Sequence, residues 1–379
     1  MESALITWIR HGLHLLAFLG TLATFLPQMD TNVWWIRFLA FPRVQILCTL
    51  VVVLALLIAL PGRSRRLSLL AAAVTVAGIA GQAAVLVPYS PIVPAQALAA
   101  ERCAPEERLR LAAVNVQMTN EHADRLFRIL DRVSPDLILL QETDPWWDQR
   151  LAALSDAYPY SEEFVTHNFF GIHLLSRYPL VGPEVHFLTS SHVPSIFTRV
   201  RLPSGQLVGF YGIHPRPPAF GQSSAERDGQ ILATALAIAG DEQPSVLAGD
   251  LNAPPWSEVI RLAARVAGLL DPRIGRGWAP TYDTHSALQT WPIDHVLFGD
   301  RFTVLAFEAL PSFGSDHLPL MADLCFDPGA ADRQRAPQPN PGDLDEARLA
   351  IRKAQNAAVR SPEPSRGEQI PQGAEPGPS

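Results

Sequence analysis

Three apolar runs in the first hundred residues restrict this chain more than any other feature it carries. They cover residues 5–26, 44–60 and 67–87, each near the ~20 residues a helix needs to cross bilayer hydrocarbon. The middle run contains no charge, and from 47 to 60 only Cys48 and Thr49 interrupt it, so a helix there has no polar stripe to turn toward water. Two other readings compete. Core helices of a soluble protein are disfavoured by that all-round apolarity. A cleaved signal peptide is disfavoured because no small-x-small site closely follows the first run and two more runs come after it. The expectation is a membrane domain over residues 1–100 with three transmembrane helices.

Charge divides the chain the same way. Residues 1–100 hold eight formal charges and a net of +4, whereas residues 101–326 hold 17 Arg and 27 Asp or Glu, a net of −10. The loop after the second run holds Arg63, Arg65 and Arg66, and the positive-inside bias keeps such a loop in the cytoplasm. Arg37 and Arg43 in the first loop oppose it. The predicted topology places everything after residue 87 on the outer side, with Trp34, Trp35 and Tyr89 at an interface. Residues 327–379 hold nine of the 34 prolines and few large apolar groups, which reads as a disordered Pro-rich tail. Within it, residues 344–359 are helix-compatible, although an Ala-rich segment of that length is marginal alone.

From residue 108 the pattern becomes one of short β-type runs and amphipathic helices. Strands are expected at 109–116, 136–141, 170–176, 196–202, 206–213, 245–248, 292–298, 302–309 and 318–325. Helices are expected at 121–133, 223–239 and 256–269. Many strands with interspersed helices predict an α/β domain over 101–326, two packed sheets with helices outside. At the strand ends lie acids, amides and imidazoles: Asn115 in Val-Asn-Val, Glu142 in Leu-Leu-Gln-Glu-Thr, His214 in Gly-Ile-His-Pro and Asp250 with Asn252 in Gly-Asp-Leu-Asn-Ala. Asp294 follows in Pro-Ile-Asp-His, and Asp316 with His317 in Ser-Asp-His-Leu-Pro. Rigid strand ends can aim such groups into one cleft. Singly, each string is as well read as a turn or cap.

Taken in this order, the strings resemble the endonuclease/exonuclease/phosphatase superfamily, metal-dependent phosphoesterases of the DNase I type, over roughly residues 109–325. Leu-Leu-Ser-Arg-Tyr-Pro-Leu at 174–180 fits the same pattern, while His173 stands where a small residue is expected. The resemblance implies a four-layered α/β sandwich and, with the apolar runs, a membrane-anchored bacterial type. Its expected place is the bacterial inner (cytoplasmic) membrane, multi-pass, with the catalytic domain on the periplasmic side.

A phosphate ester resists attack because its anionic oxygens repel a nucleophile, so a site must supply a cation, an activated water and donors to phosphoryl oxygens. Glu142 and Asn115 are the expected holders of Mg²⁺ or Mn²⁺, which take oxygen ligands, with Asp316 a further candidate ligand. The resemblance makes Asp294 the acceptor that fixes the His317 tautomer, Asp250 the group that orients or deprotonates the attacking water, and Asn252 a donor to a non-bridging oxygen. It places His214 beside the scissile phosphate, as an acid or as a phosphate binder. Whether Asp250 or His317 is the base stays open. The expected activity is hydrolysis of phosphodiester bonds by in-line attack of a metal-assisted, Asp/His-activated water. The alternative is a catalytically inactive membrane-bound binding module on the same fold.

The substrate classes are a nucleic acid or a smaller or lipid phosphoester, with the bilayer as second partner. Duplex-gripping nucleases present a basic face, whereas this domain is net negative and the only lysine in the chain is Lys353. A local arginine cleft from Arg199, Arg201, Arg216, Arg273 and Arg276 is the remaining route to nucleic acid. The resemblance also makes the first and last strands neighbours, which would bring Cys103 and Cys325 within disulfide range, a bond that an outward-facing domain permits.

Overall fold

The computed structural model describes residues 2–60, 64–218 and 222–360. The N-terminal part holds α1 (Glu2–Phe25), α2 (Trp34–Phe38), α3 (Arg43–Ala59) and α4 (Arg65–Leu86). After it come β1 (Arg108–Asn115), α5 (Ala123–Val133), β2 (Leu137–Gln141), α6 (Pro145–Leu151), β3 (Tyr160–Phe164), β4 (Ile172–Ser176), β5 (Leu180–His186), β6 (Ser195–Arg201) and β7 (Leu207–Ile213). The remainder is α7 (Ala225–Ala239), β8 (Ser245–Asp250), α8 (Glu258–Ala267), β9 (Leu269–Leu270), β10 (Asp294–Gly299), β11 (Phe302–Ala309), β12 (Leu320–Phe326) and α9 (Asp343–Arg360).

The strands form two six-stranded sheets, ordered β11-β12-β1-β2-β4-β3 and β5-β6-β7-β8-β10-β9. Each has a parallel pair near its centre, β1 with β2 and β7 with β8, and the other pairings are antiparallel. Alternate residues explain the layering. Leu109, Leu111, Leu137 and Leu139 of one sheet meet Phe210, Val246, Val296 and Phe298 of the other in the central core. Their sequence neighbours Ala112, Val114, Ile138 and Leu140 face α5, while Tyr211, Ile213, Leu247 and Leu297 face α7 and α8. Strands buried on both faces read as continuous apolar runs, as Leu-Ile-Leu-Leu in β2 does. The α/β sandwich expected from the sequence is present, and edge strands β3 and β5, only partly buried, escaped the periodicity reading.

Two expectations need correction. Among the described residues two helical stretches, not three, are long and apolar enough to cross a membrane, Thr7–Gln28 and Arg65–Tyr89. α3 has 17 residues, about 26 Å at the helical rise, because it starts only after Pro42 and stops at Leu60, whose backbone is extended. Arg63 of the basic loop lies outside the described residues. The tail is not disordered throughout: α9 packs on α7, where a Cβ on Gly229 would come within 2.2 Å of the Ala354 Cβ. Ala347 and Ala354 are fully buried, and Arg265 bonds Asp343 at 2.7 Å. An Ala stripe too weak to hold an isolated helix gains here a partner with no side chain in the way. The rest of the predicted disorder, residues 361–379, lies outside the described residues.

Cys103 and Cys325 form a disulfide with a Cα–Cα distance of 5.7 Å. It ties the segment before β1 to β12, its antiparallel neighbour.

Candidate active site

The parallel strand pairs end side by side, and their carboxyl ends carry the chemistry. Asn115 closes β1, Glu142 follows β2, His214 follows β7, Asp250 closes β8 and Asp294 opens β10. One residue holds the two sheets in register here. Gln141, fully buried at the end of β2, donates Nε2 to the Ile213 carbonyl at 2.8 Å and accepts the Asp250 amide on Oε1 at 2.9 Å. Gly249 makes this approach possible: at φ +138°, a Cβ would lie 2.0 Å from the Ile213 oxygen and 2.8 Å from Gln141 Nε2. Glu142 itself has φ +62° and Asn252 φ +51°, conformations that non-glycine residues adopt at some energetic cost and that gather at functional sites.

All eight candidate residues converge. Asn115 Nδ2 bridges two carboxylates, Glu142 Oε1 at 2.9 Å and Asp250 Oδ2 at 3.2 Å, while its Oδ1 accepts the Gln117 amide at 3.0 Å. Its Nδ2 thus braces Glu142 and Asp250, and its Oδ1 keeps a second lone pair beside the Gln117 amide bond. His317 Nδ1 bonds Asp294 Oδ2 at 2.8 Å, and Nε2 lies 3.6 Å from Asp250 Oδ2. His214 Nε2 stands 3.7 Å from the same Asp250 oxygen and 4.0 Å from Glu142. The Asn252 amide caps Asp250 Oδ1 at 2.8 Å, and its side chain donates to the Pro215 carbonyl at 3.0 Å. Asp316 is half-buried at the rim, with its amide on Gln117 Oε1 at 3.0 Å.

Sequence reasoning missed the residues that hold these groups. Gln141 and Ser315 stood inside the quoted motifs without a role. Ser315 Oγ donates to the Asn115 carbonyl at 2.8 Å and accepts the His317 amide at 3.0 Å, which joins the last strand to the first. Gln117 and Tyr282, whose ring centroid lies 4.8 Å from that of His317, had no local signal at all. His173 braces α6 through Thr143 and Asp148 and takes no part in the site.

The electrostatics are those of crowded carboxylates removed from water. Burial pushes Glu142 up to about 7 despite the Asn115 hydrogen bond. Burial raises Asp250 as well; a simple ion pair with His317 would lower it, but desolvation outweighs that attraction. Burial acts against charge on His317, yet Asp294 and Asp250 more than offset it and raise its pKa, so the ring is an imidazolium at neutral pH. Burial, then the charge on His317, holds His214 neutral, lowered to about 4. Asp316 is raised by burial. Among the described residues no Arg or Lys side chain pairs with Glu142, Asp250, Asp294 or Asp316, and Asp294 Oδ1 is buried without a partner. Buried anionic surplus of this kind fits a hard divalent cation with oxygen ligands. Asp250, Asp294 and His317 offer atoms within 4.8 Å of one another. Because His317 Nδ1 is already bonded to Asp294, Glu142 and the free carboxylate oxygens around it are the better donors.

Four of the five arginines considered for a nucleic-acid cleft are committed elsewhere, which leaves the exposed Arg201 by itself. Arg273 is fully buried and serves Asp271 and the Asp294 carbonyl, Arg199 faces Asp241, Arg216 faces Glu226, and Arg276 donates to the Ala97 carbonyl.

Comparison with known proteins agrees with this architecture. No curated protein sequence matches the chain significantly. Among solved structures, a D. rerio TDP2 humanized by 14 mutations superposes with a TM-score of 0.51 at 19% identity, over 57% of this chain and 99% of that one. D. rerio TDP2 complexed with a single-strand DNA product gives a TM-score of 0.50 at 19% identity, over 57% and 98%. At that identity the likeness is one of fold. The profile described as the Endonuclease/Exonuclease/phosphatase family matches residues 112–317, more than half of the chain and every candidate site residue, and the chain belongs to that family.

Proposed function

We propose that this chain is a membrane-anchored, divalent-metal-dependent phosphoesterase that hydrolyses phosphodiester bonds in small or lipid substrates. The carrying observation is the convergence of Asp294, His317, Asp250, Glu142 and Asn115 on one buried pocket whose carboxylates have, among the described residues, no Arg or Lys partner. A bound Mg²⁺ or Mn²⁺ would supply positive charge to the phosphoryl oxygens. Glu142 would be its principal protein ligand, and Asp316, within electrostatic reach of Glu142, would add charge. Asp294 takes the Nδ1 proton bond of His317 and so turns Nε2 toward the reacting atoms. Asp250, raised toward neutrality, accepts a proton from the attacking water, and His317 as imidazolium donates to phosphoryl oxygen. The His317 imidazolium is the group with a proton to give the leaving oxygen, while His214, neutral and adjacent, and the free N–H of Asn252 hold non-bridging oxygens by hydrogen bonds.

Membrane anchoring rests on α1 and α4, whose Leu15, Phe18, Leu69 and Leu70 are exposed, a lipid-type surface by length and composition. The preference for a membrane-proximal substrate rests on a line of rings. Phe38 and Phe41 at the end of α2 pack on Trp291 at 5.8 and 5.3 Å, Trp291 on Tyr282 at 6.1 Å, and Tyr282 on His317. The apolar N-terminal segment thus borders the catalytic histidine. The disulfide supports a location outside the reducing cytoplasm, on the periplasmic side if the source is bacterial.

The test is Mg²⁺-dependent release of p-nitrophenol from bis(p-nitrophenyl) phosphate by the full chain in detergent, abolished in Glu142→Ala and His317→Ala. Absence of turnover with any phosphoester under Mg²⁺ or Mn²⁺ would favour the binding-module alternative. Faster turnover of DNA or RNA than of lipid phosphodiesters would overturn the substrate preference.

A further inference from the structure

A second cavity, of about 350 Å³, lies where the helical segment meets the catalytic domain. Its walls are the far ends of α1 and α4, with Phe25, Gly81, Ala84 and Val85, and the start of α3. Its floor is the Pro254–Val259 stretch that leads into α8. Four arginines line it, Arg37, Arg43, Arg227 and Arg261, against one carboxylate, Glu258.

Three polar groups of this cavity are not satisfied by the protein. Arg43 is only 3% exposed; its Nη1 donates to Gln82 Oε1 at 3.0 Å, while its Nε is buried with no partner. Arg37 Nε and Ser257 Oγ, also on the cavity wall, are buried without partners as well. Ser257 is the N-cap residue of α8, yet its side chain makes no capping bond, so the first amides of a ten-residue helix are left without their usual acceptor. Unmade bonds of buried donors are expensive, and here three unpartnered groups line one space. Two cationic Nε–H donors, a hydroxyl and a helix N-terminus together make the donor set of an anion site, best met by a tetrahedral oxyanion. Glu258 does not fill that role, since its oxygens are held by Arg261 and Arg265.

We propose that this cavity binds the phosphate of an anionic phospholipid headgroup, with the acyl chains leaving along α1 and α4. The headgroup part stands on the orphaned donors. The lipid part rests on the membrane reading above, in which the ends of α1 and α4 lie at headgroup depth. The cavity is distinct from the catalytic pocket but touches it through Arg227, which donates to the Asn252 carbonyl at 2.9 Å.

The experiment uses the full chain in neutral detergent with EDTA present, so that no metal-dependent turnover consumes the probe. Native mass spectrometry and titration then follow binding of dioleoylphosphatidylglycerol, dioleoylphosphatidylcholine and inorganic phosphate. The expected result is one retained phosphatidylglycerol per chain in preference to phosphatidylcholine. Its affinity should fall about tenfold or more in Arg43→Gln and in Arg37→Gln, the loss of one charged hydrogen bond each. Ser257→Ala should weaken it less. If Arg43→Gln fails to fold, Arg37→Gln and Ser257→Ala decide. Equal binding of both lipids, or unchanged affinity in folded variants, overturns the proposal. Binding of inorganic phosphate alone, with the same arginine dependence, overturns the lipid assignment. Flotation of the chain with phosphatidylcholine vesicles is measured separately: its failure sinks the anchoring, whereas the detergent titration still reports on the cavity.

Discussion

Replacing Gln141 by Leu removes the clamp between the sheets while nearly preserving volume. Two buried groups lose their partners, the Asp250 amide and the Ile213 carbonyl. At about 1–3 kcal/mol for each unsatisfied group, the domain loses about 2–6 kcal/mol. For a domain of this size each kcal/mol corresponds to about 2–4 °C, so calorimetry of the full chain in detergent should record a fall in Tm of roughly 5–20 °C. Asp250 is the group displaced, and a shift of about 1 Å in a catalytic group can lower kcat about 100-fold. Gln141→Glu refines the reasoning through pH. A carboxyl there keeps the acceptor for Asp250 but can donate to Ile213 only when protonated. Burial beside Glu142 and Asp250 raises its folded-state pKa above the unfolded value near ~4.3. The bond it makes is therefore fully present below that unfolded pKa and lost as pH rises through the folded one. The stability gap between Gln141→Glu and the parent should be small in acid and widen toward neutral pH. A Gln141→Leu protein with unchanged Tm and unchanged kcat would refute the clamp.

Three further outcomes are expected. Asp294→Asn should lower kcat by about 10³–10⁴ with KM little changed, as when the partner that sets a catalytic histidine's tautomer is lost elsewhere; a loss below tenfold would remove Asp294 from that role. Cys103→Ser with Cys325→Ser opens a link between residues 222 apart, for which chain entropy gives about 5 kcal/mol, read as a lower Tm that reductant also produces in the parent; equal Tm with and without reductant would contradict the bond. Truncation after Gln338 removes α9 and bares the α7 face around Gly229, so Tm should drop, and an unchanged Tm would mean that α9 contributes no stability.

Much of the site was legible because its reactive groups lie at strand ends inside short strings. Gly-Asp-Leu-Asn compresses a close sheet contact, a carboxylate and its cap into four residues, and Leu-Leu-Gln-Glu does the same for a buried strand that ends in an acid. The supports were not legible in that way. Gln117, Ser315 and Tyr282 act on residues up to 200 positions away, and nothing in their own neighbourhoods marks them.

What this sequence determined alone follows from local rules: apolar runs, strand alternation, the excess of acids over arginines, and the motifs that name a phosphoesterase site. Tertiary structure decided what depends on a partner. An Ala stripe became a docked helix only because Gly229 faces it, and the second apolar run lost its standing as a spanning helix through the backbone at its two ends. Four of the five arginines considered for gripping nucleic acid, Arg199, Arg216, Arg273 and Arg276, were claimed by acids and carbonyls of the fold, whereas the Arg37 Nε, Arg43 Nε and Ser257 Oγ were left buried with no acceptor. Local propensity is a property of a segment; satisfaction of a buried polar group is a property of everything packed around it.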